Sequence, residues 1–173
     1  MDPKDLGIDR YDAGRNFQEA LAKLGLDPEA LFWAYDHVID QFVLVIVTAF
    51  FDYAWPLALS ERLFAAYRAA ATPASVDPFI LRLHSPAQRI FRDLGVYLGT
   101  YVGHETLTKA EYDRDVLTGR REAFADAKFE YGGLEGHGLW ILKPPKPNKR
   151  VPKMTETARP WERFDRKVKE LAA

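Results

Sequence analysis

Few side chains in this sequence have the types and spacing that catalysis or metal binding requires. His37 follows Asp36 and stands three residues before Asp40, which on one helical face is usable ligand spacing, and His104 and Glu105 could join from elsewhere. The pattern is weak, because no histidine has a glutamate three residues before it and no HExxH motif occurs. A buried polar stripe satisfied by hydrogen bonds explains the same residues. We therefore predict no metal and no cofactor.

Nucleophilic catalysis has even less support. Ser60, Ser75 and Ser85 each stand where a cap or a turn residue is expected, and no G-x-S-x-G elbow is present. The sequence contains no cysteine, which excludes thiolate chemistry, disulfides and Cys-ligated metal centres. The segment 132–138 has four glycines in seven residues, but no Lys-Ser/Thr pair follows it as in a phosphate-binding loop. The sequence leans away from an enzyme.

A basic, proline-rich arm covers Lys143 to Lys153. It holds four prolines, five basic residues and no acidic residue, which predicts extended, polyproline II-like chain. We expect the arm to lead into an amphipathic helix entered at Pro160, with an apolar stripe that includes Trp161 and Phe164. The predicted partner-binding residues are Lys143, Lys146, Lys149, Arg150, Lys153, Trp161 and Phe164.

The sequence leaves three roles open for this arm and its helix. They can dock on a larger protein or on another copy of the chain, or they can bind nucleic acid through phosphate contacts and stacking. They can also be a solvated linker that returns the last helix to its own domain. Charge favours a binding role, because residues 1–115 hold 11 basic and 17 acidic residues (net −6) and residues 116–173 hold 13 and 8 (net +5).

The composition is typical of one folded domain. The chain has 173 residues, of which 47% are hydrophobic and 13% aromatic, enough to bury a substantial core. Its first twelve residues, MDPKDLGIDRYD, are acidic and lack the apolar stretch of a signal or transit peptide. We therefore expect a cytoplasmic protein.

The most apolar segment, from Phe42 to Phe51, organises the predicted fold. With Asp27 as N-cap and Pro56 as terminator, it predicts one long helix from Glu29 to Ala54. Its few polar side chains fall on one arc of the helical wheel, as expected for the buried centre of a bundle. The segment argues against a membrane span, since it contains Asp52 and no basic residue flanks it.

Shorter helices are predicted at residues 15–24, 61–71 and 109–127, with another after Pro86. In the helix after Pro86, Gly95, Gly99 and Gly103 indicate close packing against another helix. Residues 129–142 predict a β-hairpin. The predicted fold is thus mainly α: a helical bundle with a small C-terminal hairpin in residues 1–142, then the arm and its helix in residues 143–173.

The function predicted from the sequence is a non-enzymatic interaction or assembly protein. It would serve as an accessory subunit or adaptor that docks a partner, or its own copies, through the arm and terminal helix. The alternatives are a nucleic-acid-binding protein that uses the arm, and a metal-dependent or small-ligand enzyme that uses the polar stripe of the long helix.

Overall fold

The computed structural model describes residues 5–89, 91, 92, 94, 128–146 and 150–173. Within them the chain forms an α/β fold, a five-stranded mixed sheet with three α-helices. The elements are, in chain order, α1 (Ile8–Leu24), β1 (Ala30–Asp36), β2 (Gln41–Val47), α2 (Phe50–Arg68), a 3-10 turn (Pro78–Ile80), β3 (Leu81–His84), β4 (Lys128–Tyr131), β5 (Leu134–Lys143) and α3 (Met154–Ala172).

The strands lie in the order β3-β2-β1-β5-β4. Strand β1 is central and pairs antiparallel with both β2 and β5, and β4 is antiparallel to β5. Strands β2 and β3 are parallel, and α2 lies between them in the chain. A helix is expected there, because parallel neighbours cannot be joined by a tight turn.

The predicted long helix from Glu29 to Ala54 is wrong, and the mainly α fold class is wrong with it. This stretch contains β1, a turn from His37 to Asp40, β2 and the start of α2, with Asp36 paired to Gln41 across the turn. Both strands are buried on two faces, so their sequences read as continuous apolar runs without the alternation of a half-exposed strand. Of the polar side chains predicted to share one helical arc, His37 and Asp40 lie in this turn, and Asp36 and Gln41 flank it.

Each face of the sheet is covered by its own hydrophobic cluster. Leu31, Trp33 and Tyr35 of β1 point to the face that packs against α1, α2 and α3. The intervening residues Ala30 and Phe32 point to the other face, together with three valines of β2, and Phe91 and Leu94 pack there. The central strands therefore form the middle layer of the core.

The C-terminal helix belongs to this core. Helix α3 packs along α2, and Phe164 is fully buried with its ring 5.6 Å from that of Phe50. An ion pair between Arg62 and Asp165 also joins the two helices. The helix begins at Met154, earlier than the predicted entry at Pro160, and the backbone N–H of Lys153 donates to Glu156 at 2.9 Å. Phe164 and Val168 of the predicted apolar stripe are thus buried within the same chain, whereas Trp161 is half-buried and Leu171 is exposed.

The remaining predictions differ in outcome. Helix α1 ends at Leu24 with Gly25 at a φ of 94°, as predicted, but it begins at Ile8. A hairpin joins β4 and β5, as the sequence predicts for residues 129–142. The predicted boundary after residue 142 falls inside β5. The helix predicted at residues 109–127 and the three spaced glycines lie outside the described residues. Among the residues described, no helix is long and apolar enough to cross a membrane.

Candidate functional site

Two histidines meet at one carboxylate near the turn that joins β1 and β2. The turn carries His37, and the pairing of Tyr35 with Glu135 brings the start of β5 alongside it. His137 follows two residues later on the same strand. We call His37, Glu135 and His137, with the rings of Tyr35, Phe42 and Trp140, the histidine cluster.

The carboxylate of Glu135 accepts a hydrogen bond from each imidazole. His37 Nε2 lies 2.9 Å from Oε2, and His137 Nε2 lies 2.8 Å from Oε1. The side chain of His137 is 8% exposed, whereas that of His37 is 43% exposed and that of Glu135 is 31% exposed. The cluster therefore has one imidazole fixed inside the protein and one open to solvent, joined through a carboxylate that solvent also reaches.

Aromatic contacts close the cluster into a ring of neighbours. Adjacent ring centroids lie 4.1–5.2 Å apart along the series His37, Tyr35, Phe42, Trp140 and His137. Arg10 of α1 lies above this series, with its guanidinium carbon 4.9 Å from the centre of the Phe42 ring. Because aromatic pairs and cation–π contacts both favour defined geometries, these contacts hold the two imidazoles in defined positions.

An irregularity in β5 makes this arrangement possible. Phe32 pairs with Ile141 and Ala34 pairs with Gly136, so Trp33 alone faces the four residues from His137 to Trp140. In a regular strand, residues three apart point to opposite faces. The extra residues bring the rings of His137 and Trp140 together, the kind of re-aiming for which bulges near functional sites are known.

A second polar group lies at the opposite end of β2, where β2 and β3 end. Ser85 donates a hydrogen bond of 2.6 Å to Asp52, and Thr48 Oγ1 accepts one from the backbone N–H of Phe50. His84 Nδ1 lies 2.8 Å from the amide oxygen of Gln88, and burial lowers the pKa of this imidazole. These hydrogen bonds stabilise turns and the start of α2. The imidazole of His84 bonds Gln88 and the hydroxyl of Ser85 bonds Asp52. The group therefore lacks the nucleophile–base contact of a hydrolase.

The predicted metal ligands do not come together in the described part of the chain. His37 binds Glu135, whereas Asp40 accepts from the hydroxyl of Tyr35 and Asp36 pairs with Arg82 at 3.4 Å. No group of three histidine or acidic side chains is placed to hold a metal ion among the described residues. His104 and Glu105 lie outside them.

The sequence prediction missed Glu135 and His137, which form the other half of the cluster. Their spacing is the alternate-residue spacing of one strand face, and it lies within the predicted hairpin. That signal could have placed the two side chains together.

The predicted partner-binding residues occupy several environments. Lys143 pairs with Asp27, and Arg150 Nη2 lies 2.7 Å from Glu156. Lys146 and Lys153 are exposed, and Lys149 lies outside the described residues. Trp161 is half-buried with its ring 5.4 Å from that of Phe50, and Phe164 is in the core.

Comparison with protein families, with curated protein sequences and with solved structures found no match for this chain.

The carboxylate of Glu135 gives the protein a testable pH dependence. The hydrogen bond from His137 is the largest effect that lowers the pKa of Glu135 from its ordinary 4.5. A lowered pKa in the folded state means that the stabilisation is fully present above the unfolded-state pKa and is lost as the pH falls through the folded-state pKa. Between about pH 5 and pH 3, stability should therefore fall more steeply in the wild type than in Glu135→Gln, as measured by urea unfolding.

Glu130 provides the matched control for this measurement. It pairs with Glu135 across β4 and β5, is exposed, and makes no ion pair within the described residues. Glu130→Gln should keep the wild-type slope of stability against pH. A Glu135→Gln protein with that same slope would show that the two imidazoles do not stabilise the carboxylate.

Proposed function

We propose that this protein is an interaction or assembly protein that binds another protein through an apolar ridge along α2. The ridge consists of Leu57, Phe64 and Phe79, with Trp55 at its start. Trp55, Leu57 and Phe79 are 74%, 72% and 76% exposed. This exposure of three large apolar side chains, all on or beside α2, is the observation that carries the proposal.

Phe64 and Phe79 of the ridge are in direct contact. Leu57 and Phe64 lie seven residues apart, which places them on the same face of α2. The ring of Phe64 meets that of Phe79 edge to face, with centroids 4.9 Å apart. Single exposed apolar residues are ordinary on a protein surface, but contiguous apolar patches are typical of binding sites.

The backbone at Trp55 adds to this support. Trp55 has a φ of 68° and a ψ of 151°, which interrupts α2 just before Pro56. A bulky residue with positive φ is strained, and such strain concentrates at functional positions. Tryptophan is also among the residues that contribute most to binding energy in protein interfaces.

The arm and α3 are a weaker candidate than the ridge for the surface that binds a partner. Phe164 and Val168 of the apolar stripe of α3 are buried within the same chain, so they are not free to enter a groove on a partner. In the arm, Lys143 and Arg150 are ion-paired with carboxylates of the same chain. These pairings reduce the charge available for phosphate contact and favour a protein partner over nucleic acid.

The test compares two double substitutions of exposed apolar residues. Leu57→Glu with Phe79→Glu alters the ridge, and the control, Met154→Glu with Leu171→Glu, alters side chains of α3 that are 59% and 53% exposed. Sedimentation velocity up to about 100 μM reports self-association, and a photo-crosslinking residue at position 64 in the source cells reports a partner of another kind.

We expect the ridge variant to weaken the complex by more than tenfold, about 1.4 kcal/mol, and the control to leave it unchanged. A wild-type protein that is monomeric and forms no crosslink would refute the proposal. A complex that survives the ridge substitutions would place the interface elsewhere.

A further inference from the structure

The histidine cluster has the components of general acid–base catalysis. Imidazole changes charge near neutral pH, and a carboxylate in contact with it can exchange protons with a bound substrate. Glu135 and His37 are both accessible to solvent and lie within hydrogen-bond distance of each other. His137 is buried on the far side of the carboxylate and contacts the ring of Trp140, so it can hold Glu135 in place.

The cluster contains no nucleophile of the usual kind. None of its members is a serine, threonine or cysteine, and the one hydroxyl, that of Tyr35, donates to Asp40. A reaction catalysed here therefore takes its attacking group from water or from the substrate. The ribose 2′-hydroxyl of RNA, beside its own phosphodiester, is such a group, and its attack requires only a base and an acid.

Two cations adjoin the cluster and could contact a phosphate. Arg10 lies over the Phe42 ring, and Lys128 is the β-sheet partner of His137, so its side chain leaves the sheet on the same face. Neither forms an ion pair within the described residues, and both are exposed. Two acidic groups of the sheet and its turn also lie on this side: Glu130, opposite Glu135, and Asp40, bonded to Tyr35.

A small open cavity lies next to the cluster. Its volume is about 160 Å³, and it is lined by residues 5–8 of the lead into α1 and by Leu139 and Trp140 of β5. Trp140, which contacts His137 and is 6% exposed, also borders this cavity, and Asp5 adds a carboxylate to its wall.

We propose that the histidine cluster cleaves RNA by internal phosphoryl transfer, with Glu135 and His37 as the proton-transfer pair. Glu135 removes the proton of the 2′-hydroxyl, and the 2′-oxygen forms a bond to phosphorus. The bond from phosphorus to the 5′-oxygen breaks, and the leaving oxygen takes a proton from the His37 imidazolium. The products are a 2′,3′-cyclic phosphate and a 5′-hydroxyl, with no other reactant. This inference goes beyond the proposed function and does not depend on it.

The test uses a fluorophore–quencher DNA oligonucleotide that contains one ribonucleotide, with each of the four bases in turn, in buffer with EDTA. The wild type should cut it at the ribonucleotide and leave a cyclic phosphate. Glu135→Gln and His37→Asn should each lower the rate at least about 100-fold, the usual share of general acid–base catalysis. The control, His84→Asn, removes the imidazole at the other end of the sheet and should stay within about twofold of wild type.

His137 is a positioning residue in this scheme, and the pH profile tests that role. The hydrogen bond from His137 lowers the pKa of Glu135, so His137→Asn should move the acidic limb of the rate profile to higher pH. A merely structural role would lower the rate without moving this limb.

Two outcomes would overturn the proposal, and neither requires a variant to fold. One is a wild-type protein that cleaves none of the four probes, and the other is equal cleavage of an all-DNA probe. Equal rates in wild type and folded His37→Asn, prepared in parallel, would also overturn it, because the activity would then come from elsewhere.

Discussion

Replacing Phe164 with alanine is expected to lower the free energy of unfolding by about 3–5 kcal/mol, the usual range for a buried phenylalanine. The side chain is fully buried, and its ring lies 5.6 Å from that of Phe50 and 5.7 Å from that of Trp161. The truncation removes apolar surface burial and leaves a cavity between α2 and α3. Urea unfolding followed by circular dichroism measures the change.

Leu171 on the same helix is the matched control. Its side chain is 53% exposed, so Leu171→Ala should change stability by less than about 0.5 kcal/mol. If Phe164→Ala were equally mild, the side chain would be free for a partner, as the sequence predicted. Because Phe164 is part of the core, truncation after residue 142 should unfold the protein. An unfolded protein loses binding for any reason, so such a truncation cannot report on partner binding.

Replacing Gly136 with alanine is expected to destabilise the protein by about 1–3 kcal/mol through overpacking. A Cβ at this position would lie 2.0 Å from the Cζ atom of Phe129, the residue directly opposite on β4. The far end of the Phe129 ring covers the glycine, and the ring also meets Phe32 edge to face at 5.5 Å. The new methyl group must therefore displace a ring held from two sides.

A double-mutant cycle with Phe129→Ala isolates this contact. In the Phe129→Ala background the ring is absent, and Gly136→Ala should become neutral or slightly stabilising, because glycine in a strand costs about 0.5–1 kcal/mol relative to alanine. Thermal unfolding of the four proteins gives the coupling. An equal effect in both backgrounds would mean that the ring does not cause the loss.

The sequence predicted the elements whose signals are local. Gly25 ends α1, and the glycines before Leu134 mark the β4–β5 turn, because these positions depend on neighbouring residues. It failed at β1 and β2, where burial on both faces removes the alternation that identifies a strand. The β-branched content of Phe42–Val47 and its length of only a few residues are the signals that favoured a strand.

The candidate site was only partly predictable for a related reason. His37 stood out as a titratable group beside an apolar run, and it does belong to the cluster. Its partner Glu135 lies 98 residues away in sequence, and only the pairing of β1 with β5 brings the two together. The irregularity that turns His137 towards Trp140 depends on a register between distant strands, which no local pattern encodes.

The pairing of β1 with β5 also has a consequence for biosynthesis. Strand β1 is made early and forms a local hairpin with β2, but its other edge pairs with a strand made after most of the chain. Contacts so distant in sequence form slowly, and an apolar strand with an open edge is prone to aggregation. We expect ribosome-bound chains that end before residue 134 to need chaperones, and the native sheet to close only after β5 has left the ribosome.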